Sequence, residues 1–307
     1  MKLVLITKKQ LLYFLIFILF LVVPLLFVIT NNSSKSINVF NQLHIDKPNQ
    51  VDLNGDGKKD SLTVLTKNGT SDIEIVSNTK TFYLSNLCDD NILSSDSSWW
   101  PLSIYIGNLS RNTYPQIIVQ GTKNNKPINY VFTWKNDSFI NILTTDKNIF
   151  GIINSKGTKT PQCYSLNSFN STSTFSSFMI IDNSLLDTTQ DTKVPPSIDN
   201  IQSFIDIIQK DYEIDTVPNI FKDGMSEKEL SLLWNLDKEH NVYSFENGFF
   251  FDENIDTEGN ITSIKWRLNF EKYIKEKSDS YKSQIHIYLT CEKVYDGTFK
   301  ISSFYSN

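Results

Sequence analysis

The chain begins with an apolar run. Residues 11–29 carry no charge and are long enough to cross, as a helix, a hydrocarbon core about 30 Å thick. Pro24 lies inside this run, and a single proline is tolerated in such spans. Beyond residue 37 the pattern changes to short alternating stretches at 61–66, 71–76, 80–84, 117–120, 129–134, 138–143 and 163–166, the period of half-buried strands. Asn136 and Asp137 read as a hairpin turn between two of them. The polar, proline-ended stretch 188–196 closes this regime. After it Ile198, Ile201, Ile205, Ile208 and Tyr212 recur at offsets of three and four, the stripe of an amphipathic helix. Ser226 and Glu229 form a capping box that opens a second helix carrying Leu230, Leu233 and Trp234. Long strands are predicted at 242–251, 261–270 and 284–294, and Asp296 with Gly297 turns the chain into a last one at 298–305.

These patterns predict a cytoplasmic tail at 1–10, a transmembrane signal anchor at 11–30, an all-β repeat domain at 37–187, a linker at 188–196 and an α+β domain at 197–307. Lys2, Lys8 and Lys9 precede the apolar run and only Lys35 follows it closely, so the positive-inside rule places the N-terminus in the cytoplasm. The expectation is a single-pass plasma-membrane protein with an extracellular body. The competing reading is a cleaved signal peptide, whose apolar core is usually shorter, about 7–15 residues, and ends at small residues.

Charge removes one class of partner. The 307 residues hold 29 Lys and Arg against 34 Asp and Glu, a net charge of −5, with Arg111 and Arg267 the only arginines. Without a basic stripe facing phosphates, nucleic acid is excluded as a partner. Cys88, Cys163 and Cys291 are an odd number in separate segments, which is not a disulfide framework, and the scattered His44, His240 and His286 give no zinc spacing.

One segment carries chemistry. Asp52, Asn54, Asp56 and Asp60 stand at positions 1, 3, 5 and 9 of an oxygen-rich loop, with Gly57 at position 6 and Lys58 placed to offer its backbone carbonyl. Calcium takes six to eight hard oxygens, and alternate residues of a tight turn can supply them. A helix–loop–helix site would need Glu at position 12, where Thr63 stands in a strand-like stretch. The alternative is a solvated turn built on the Asn54–Gly55 and Asp56–Gly57 dipeptides. Two further segments, 108–116 and 154–162, align with 52–60 and precede strands in the same way, but Asn, Ser, Thr, Gln and Lys replace the carboxylates.

A calcium loop running into a strand, repeated at blade-like spacing, resembles the FG-GAP and VCBS repeats of integrin-type β-propellers. The resemblance implies a propeller-like β array and a structural Ca2+ held by Asp52, Asn54, Asp56, the Lys58 carbonyl and Asp60. Three units are fewer than the roughly four to eight blades of a closed propeller. Trp99, Trp100, Tyr105, Phe132 and Trp134 suit either a carbohydrate-stacking platform or, more commonly at strand spacing, the core. The layout of the last hundred or so residues, two helices before a curved antiparallel sheet, loosely resembles the nuclear-transport-factor-like cone.

No hydrolase, zincin, phosphate-loop or dinucleotide signature is present. His286 on an alternating strand lacks a sequence-evident acid partner, and Asp252, Glu253, Asp256 and Glu258 read as a solvated hairpin tip. The expectation is therefore a binding or cell-surface interaction protein with a protein or glycan partner, not an enzyme. The alternative is an exported enzyme or envelope sensor with a ligand pocket in the α+β domain.

Overall fold

Three antiparallel units account for the first part of the chain, and each begins the same way. The computed structural model describes Lys9 and residues 47–154, 160–168, 175–211, 218–275 and 281–306. The first unit comprises β1 (Asn49–Val51), β2 (Asp60–Lys67), β3 (Thr70–Ser77) and β4 (Lys80–Tyr83), with β5 (Ser94–Ser95) added to β3. The second is β6 (Ser103–Gly107), β7 (Gln116–Lys123), β8 (Lys126–Lys135) and β9 (Ser138–Thr145). The third is β10 (Ile149–Ile153), β11 (Gln162–Leu166), β12 (Ser176–Ile181) and β13 (Ser184–Asp187).

In all three units the loop of interest joins the first strand to the second. Its ninth residue starts the second strand, and the register is equivalent: Val51 pairs with Asp60, Gly107 with Gln116, and Ile153 with Gln162. Several hairpins turn on paired Asn or Asp residues with positive φ, as at Asn124 and Asn125, Asn136 and Asp137, and Asp182 and Asn183. Such turns match the right-handed twist of the flanking strands, and Asn and Asp tolerate the left-handed backbone better than other side chains do.

The C-terminal region supplies α1 (Ile198–Gln209), α2 (Glu227–Trp234), β14 (Asn241–Ile255), β15 (Ile261–Ile274), β16 (Lys282–Lys293) and β17 (Phe299–Ser306). The apolar stripe of α1 is buried at Ile198, Ile201, Ile205 and Ile208, and Phe204 joins it. Ser226 and Glu229 make the reciprocal capping bonds at the start of α2.

The expected separation into a propeller-like domain and an independent α+β domain is corrected here. β10 pairs in parallel with β14, so the third unit and the C-terminal strands form one eight-stranded sheet, ordered β13-β12-β11-β10-β14-β15-β16-β17. Strands before and after residues 188–196 thus share one sheet. All five residues of β10 are buried, so its open edge needs a partner, and β14 takes the place that a next blade would fill. The described strands close no propeller. Instead the sheets stack. One core joins the first and second sheets, a second joins the opposite face of the second sheet to the third, and a third lies between the eight-stranded sheet and the helices.

The membrane expectation is also corrected. Residues 10–46, which include the apolar run, lie outside the described residues. Among the described residues no helix is long and apolar enough to cross a membrane. The longer helix, α1, has 12 residues and spans about 18 Å, short of a hydrocarbon core. The single-pass anchor, the plasma-membrane placement and the extracellular body assigned from it therefore have no structural support.

Candidate metal centre

The loop between β1 and β2 is organised by its own side chains. Asp52 accepts from the Gly55 N–H through Oδ1 at 2.7 Å and from the Gly57 N–H through Oδ2 at 2.9 Å. Asn54 Oδ1 accepts from the Asp56 N–H at 2.9 Å, and Asp56 Oδ1 from the Lys58 N–H at 2.8 Å. Alternate oxygen-bearing residues thus each hold a backbone donor further along the loop, the short-range bonding that Asp and Asn favour in turns. Gly57 adopts φ 82°, the left-handed conformation that a side chain would strain. The other oxygen of Asp56 takes the Asn78 side-chain N–H at 2.7 Å. Asn78 and then the Lys58 backbone N–H hold the exposed Asp56 carboxyl below its ordinary range.

Asp60 does something different. It is only 2% exposed, and its Oδ2 accepts from the Leu53 N–H at 2.7 Å, clamping the loop's second residue to its ninth. The second unit repeats this clamp without charge: Gln116 Oε1 accepts from the Leu109 N–H at 2.6 Å, while Gln116 Nε2 donates to Ser110 Oγ at 2.8 Å. In the third unit Gln162 Nε2 donates to Thr188 Oγ1 at 2.6 Å. The ninth position is therefore a buried structural acceptor in the first two loops, whichever residue occupies it. The additional property of the first loop is its negative charge.

The donor chemistry of Asp52, Asn54, Asp56 and Asp60 is hard oxygen throughout, which suits calcium. Asp52 and Asn54 are half-buried, Asp56 is exposed and Asp60 is buried, while the Lys58 side chain reaches Asn78 Oδ1 at 3.4 Å. Among the described residues no group of three or more His, Cys, Asp or Glu is gathered as a metal site. The oxygens are instead turned toward N–H donors. The residues fit calcium by type, charge and spacing, with an amide and a carbonyl completing a set that three carboxylates begin.

A cleft of about 350 Å³ adjoins the loop, lined by Asn54, Asp56, Asn78, Lys80, Trp134 and Asp137 among others. Trp134 packs edge-on to Phe82 and Phe139, with ring centroids 5.6 and 4.9 Å away, so one part of it is core and another borders the cleft. Asn78 and Asp137 come from hairpin turns of two different units. Their turn chemistry is legible in the residues, but their proximity to the loop depends on how the sheets pack.

The other candidate residues have local occupations. Asp256 caps its turn by accepting from the Glu258 and Asn260 N–H groups, and Glu253 pairs with Lys265. All three cysteines are buried and free, and burial pushes the Cys291 thiol up to about 12. His286 lies on the C-terminal sheet, 2.9 Å from Asn269 Oδ1 and 3.2 Å from Arg267, and burial first, then the Arg267 charge, lowers it to about 4. Comparison with protein-family models, with curated proteins and with solved structures finds no significant match.

Proposed function

We propose that this chain is a calcium-stabilised binding protein, not an enzyme, whose β-repeat region presents the cleft beside the 52–60 loop to a protein or glycan partner. The observation that carries the reading is the difference between equivalent loops: the first and second share one backbone clamp, yet only the first surrounds it with carboxylates. Carboxylates at positions 1, 5 and 9 would repel one another if the loop drew them together, unless a cation joined them. Calcium would be held by Asp52, Asn54, Asp56, the Lys58 carbonyl and Asp60, and would supply charge neutralisation and rigidity rather than chemistry. The Trp134 ring and the polar groups of Asn54, Asp56 and Lys80 at the cleft suit a sugar's apolar face and hydroxyls.

Thermal unfolding in calcium and in chelator tests this reading. With a dissociation constant on the order of 10⁻³ M, tenfold excess calcium stabilises by about 1.4 kcal/mol, a rise of a few degrees. Asp56→Asn is expected to abolish the increment. Equal melting of the wild-type protein in calcium and in chelator would falsify the metal reading.

A further inference from the structure

The eight-stranded sheet has two unlike faces in its C-terminal half. Trp266, Leu268 and Phe270 of β15, with Ile287 and Leu289 of β16, belong to the core shared with the helices. The alternate residues Arg267, Asn269 and His286 point the other way, because successive side chains of a strand alternate. Register places Asn269 opposite both Asn247 and His286. These groups form a chain of contacts. Arg267 Nη1 donates to Tyr105 Oη at 3.3 Å, Arg267 Nη2 lies 3.2 Å from His286 Nδ1, His286 Nδ1 lies 2.9 Å from Asn269 Oδ1, and Asn269 Nδ2 donates to Asn247 Oδ1 at 2.6 Å.

Arg267 is 6% exposed, and among the described residues it pairs with no carboxylate. Its neighbours do not supply the missing charge. Burial raises Glu246, the buried acid that precedes Asn247 on β14 and accepts from Gln284, to about 8, and the Glu271 carboxylate lies 3.3 Å from Lys282. Two buried donors of the network, Arg267 Nε and Asn247 Nδ2, have no acceptor among the described residues. A buried guanidinium without a counter-ion is among the costliest groups a fold can hold. Along one edge of the guanidinium, Nε and Nη2 present parallel N–H bonds, the fork that a carboxylate matches with its two oxygens. His286 is half-buried, and Tyr288, opposite Arg267 in the register, is half-buried and stacks on the exposed Tyr305 at 5.1 Å, so the network approaches solvent along β16. Phe249, stacked on Tyr105 at 3.8 Å, adds an apolar flank.

We propose that Arg267, with His286 and Asn247 beside it, is a binding site for a small organic monocarboxylate. One cation selects one negative charge; a dianion such as phosphate would leave a buried charge uncompensated. The aromatic flanks favour an acid with an apolar body, and the site is independent of the calcium loop.

Benzoate is the probe, with chloride at equal ionic strength as control. The full chain is titrated by calorimetry and by thermal unfolding. Saturable millimolar binding and a rise in melting temperature with benzoate but not chloride are expected. Arg267→Lys keeps the charge and loses the fork, and should weaken binding by roughly tenfold or more; Arg267→Gln should abolish it. Should either variant fail to fold, the wild-type titration still decides: absence of saturable binding overturns the proposal. So does an unchanged response in folded Arg267→Gln, or a chloride effect as large as that of benzoate.

Discussion

The ring of Phe250 in β14 lies over Gly151 in β10 so closely that a Cβ on Gly151 would meet it at 2.0 Å. The two residues are register partners in the parallel pair that welds the third repeat unit to the C-terminal strands. Phe250 in turn stacks on Trp266, with centroids 4.3 Å apart, so this contact leads directly into the core beneath the helices. Gly151→Ala is expected to destabilise the fold by about 1–3 kcal/mol through overpacking. A fall in the denaturant midpoint measures it, and Phe250→Leu in the same background should recover part of the loss. A neutral Gly151→Ala would mean that the β10–β14 seam has room for the added methyl group.

The clamp from the ninth to the second loop position predicts a matched pair of effects. Asp60→Ala leaves the Leu53 N–H without its acceptor, and Gln116→Ala does the same to Leu109. Each should cost about 1–3 kcal/mol, read by chemical denaturation in chelator. In calcium only Asp60→Ala should lose a further increment, because the second loop has no carboxylates to hold the ion.

Stability is expected to fall between about pH 6.5 and pH 8 through Glu246, whose carboxyl burial raises from 4.5 to about 8. A raised acid stabilises the fold fully below its unfolded value and loses that contribution as pH rises through the folded one. His286 acts in the opposite sense: its value drops from 6.5 to about 4, so its contribution is present above 6.5 and lost as pH falls. The two slopes oppose each other below pH 6.5, and above it only the Glu246 slope remains. Melting temperature against pH checks this, and Glu246→Gln should flatten the alkaline limb.

Ser226→Ala removes the side chain that accepts from the Glu229 N–H at the start of α2. A loss of about 1 kcal/mol is expected from equilibrium unfolding. Ser226→Asp should retain most of the stability, since it also accepts at an N-cap and adds charge favourable to the helix N-terminus.

What the residues determine by themselves here is local. The α1 stripe, the Ser226–Glu229 box, the Asn136–Asp137 turn and the alternating β2 pattern depend on neighbours within a few positions, where backbone geometry dictates spacing. The 52–60 loop is legible for the same reason, since its oxygens bond donors no more than a few residues away. Only the tertiary structure decides the rest. Apolar alternation says that a strand has a buried face but not which strand takes its edge, so the β10–β14 pairing, and with it the single eight-stranded sheet in place of two domains, has no local signature. Arg267 meets Tyr105 across 162 positions of sequence, and its charge is buried because the second sheet packs over that face. A lone arginine in an alternating strand reads as solvated surface until the opposing layer removes the water.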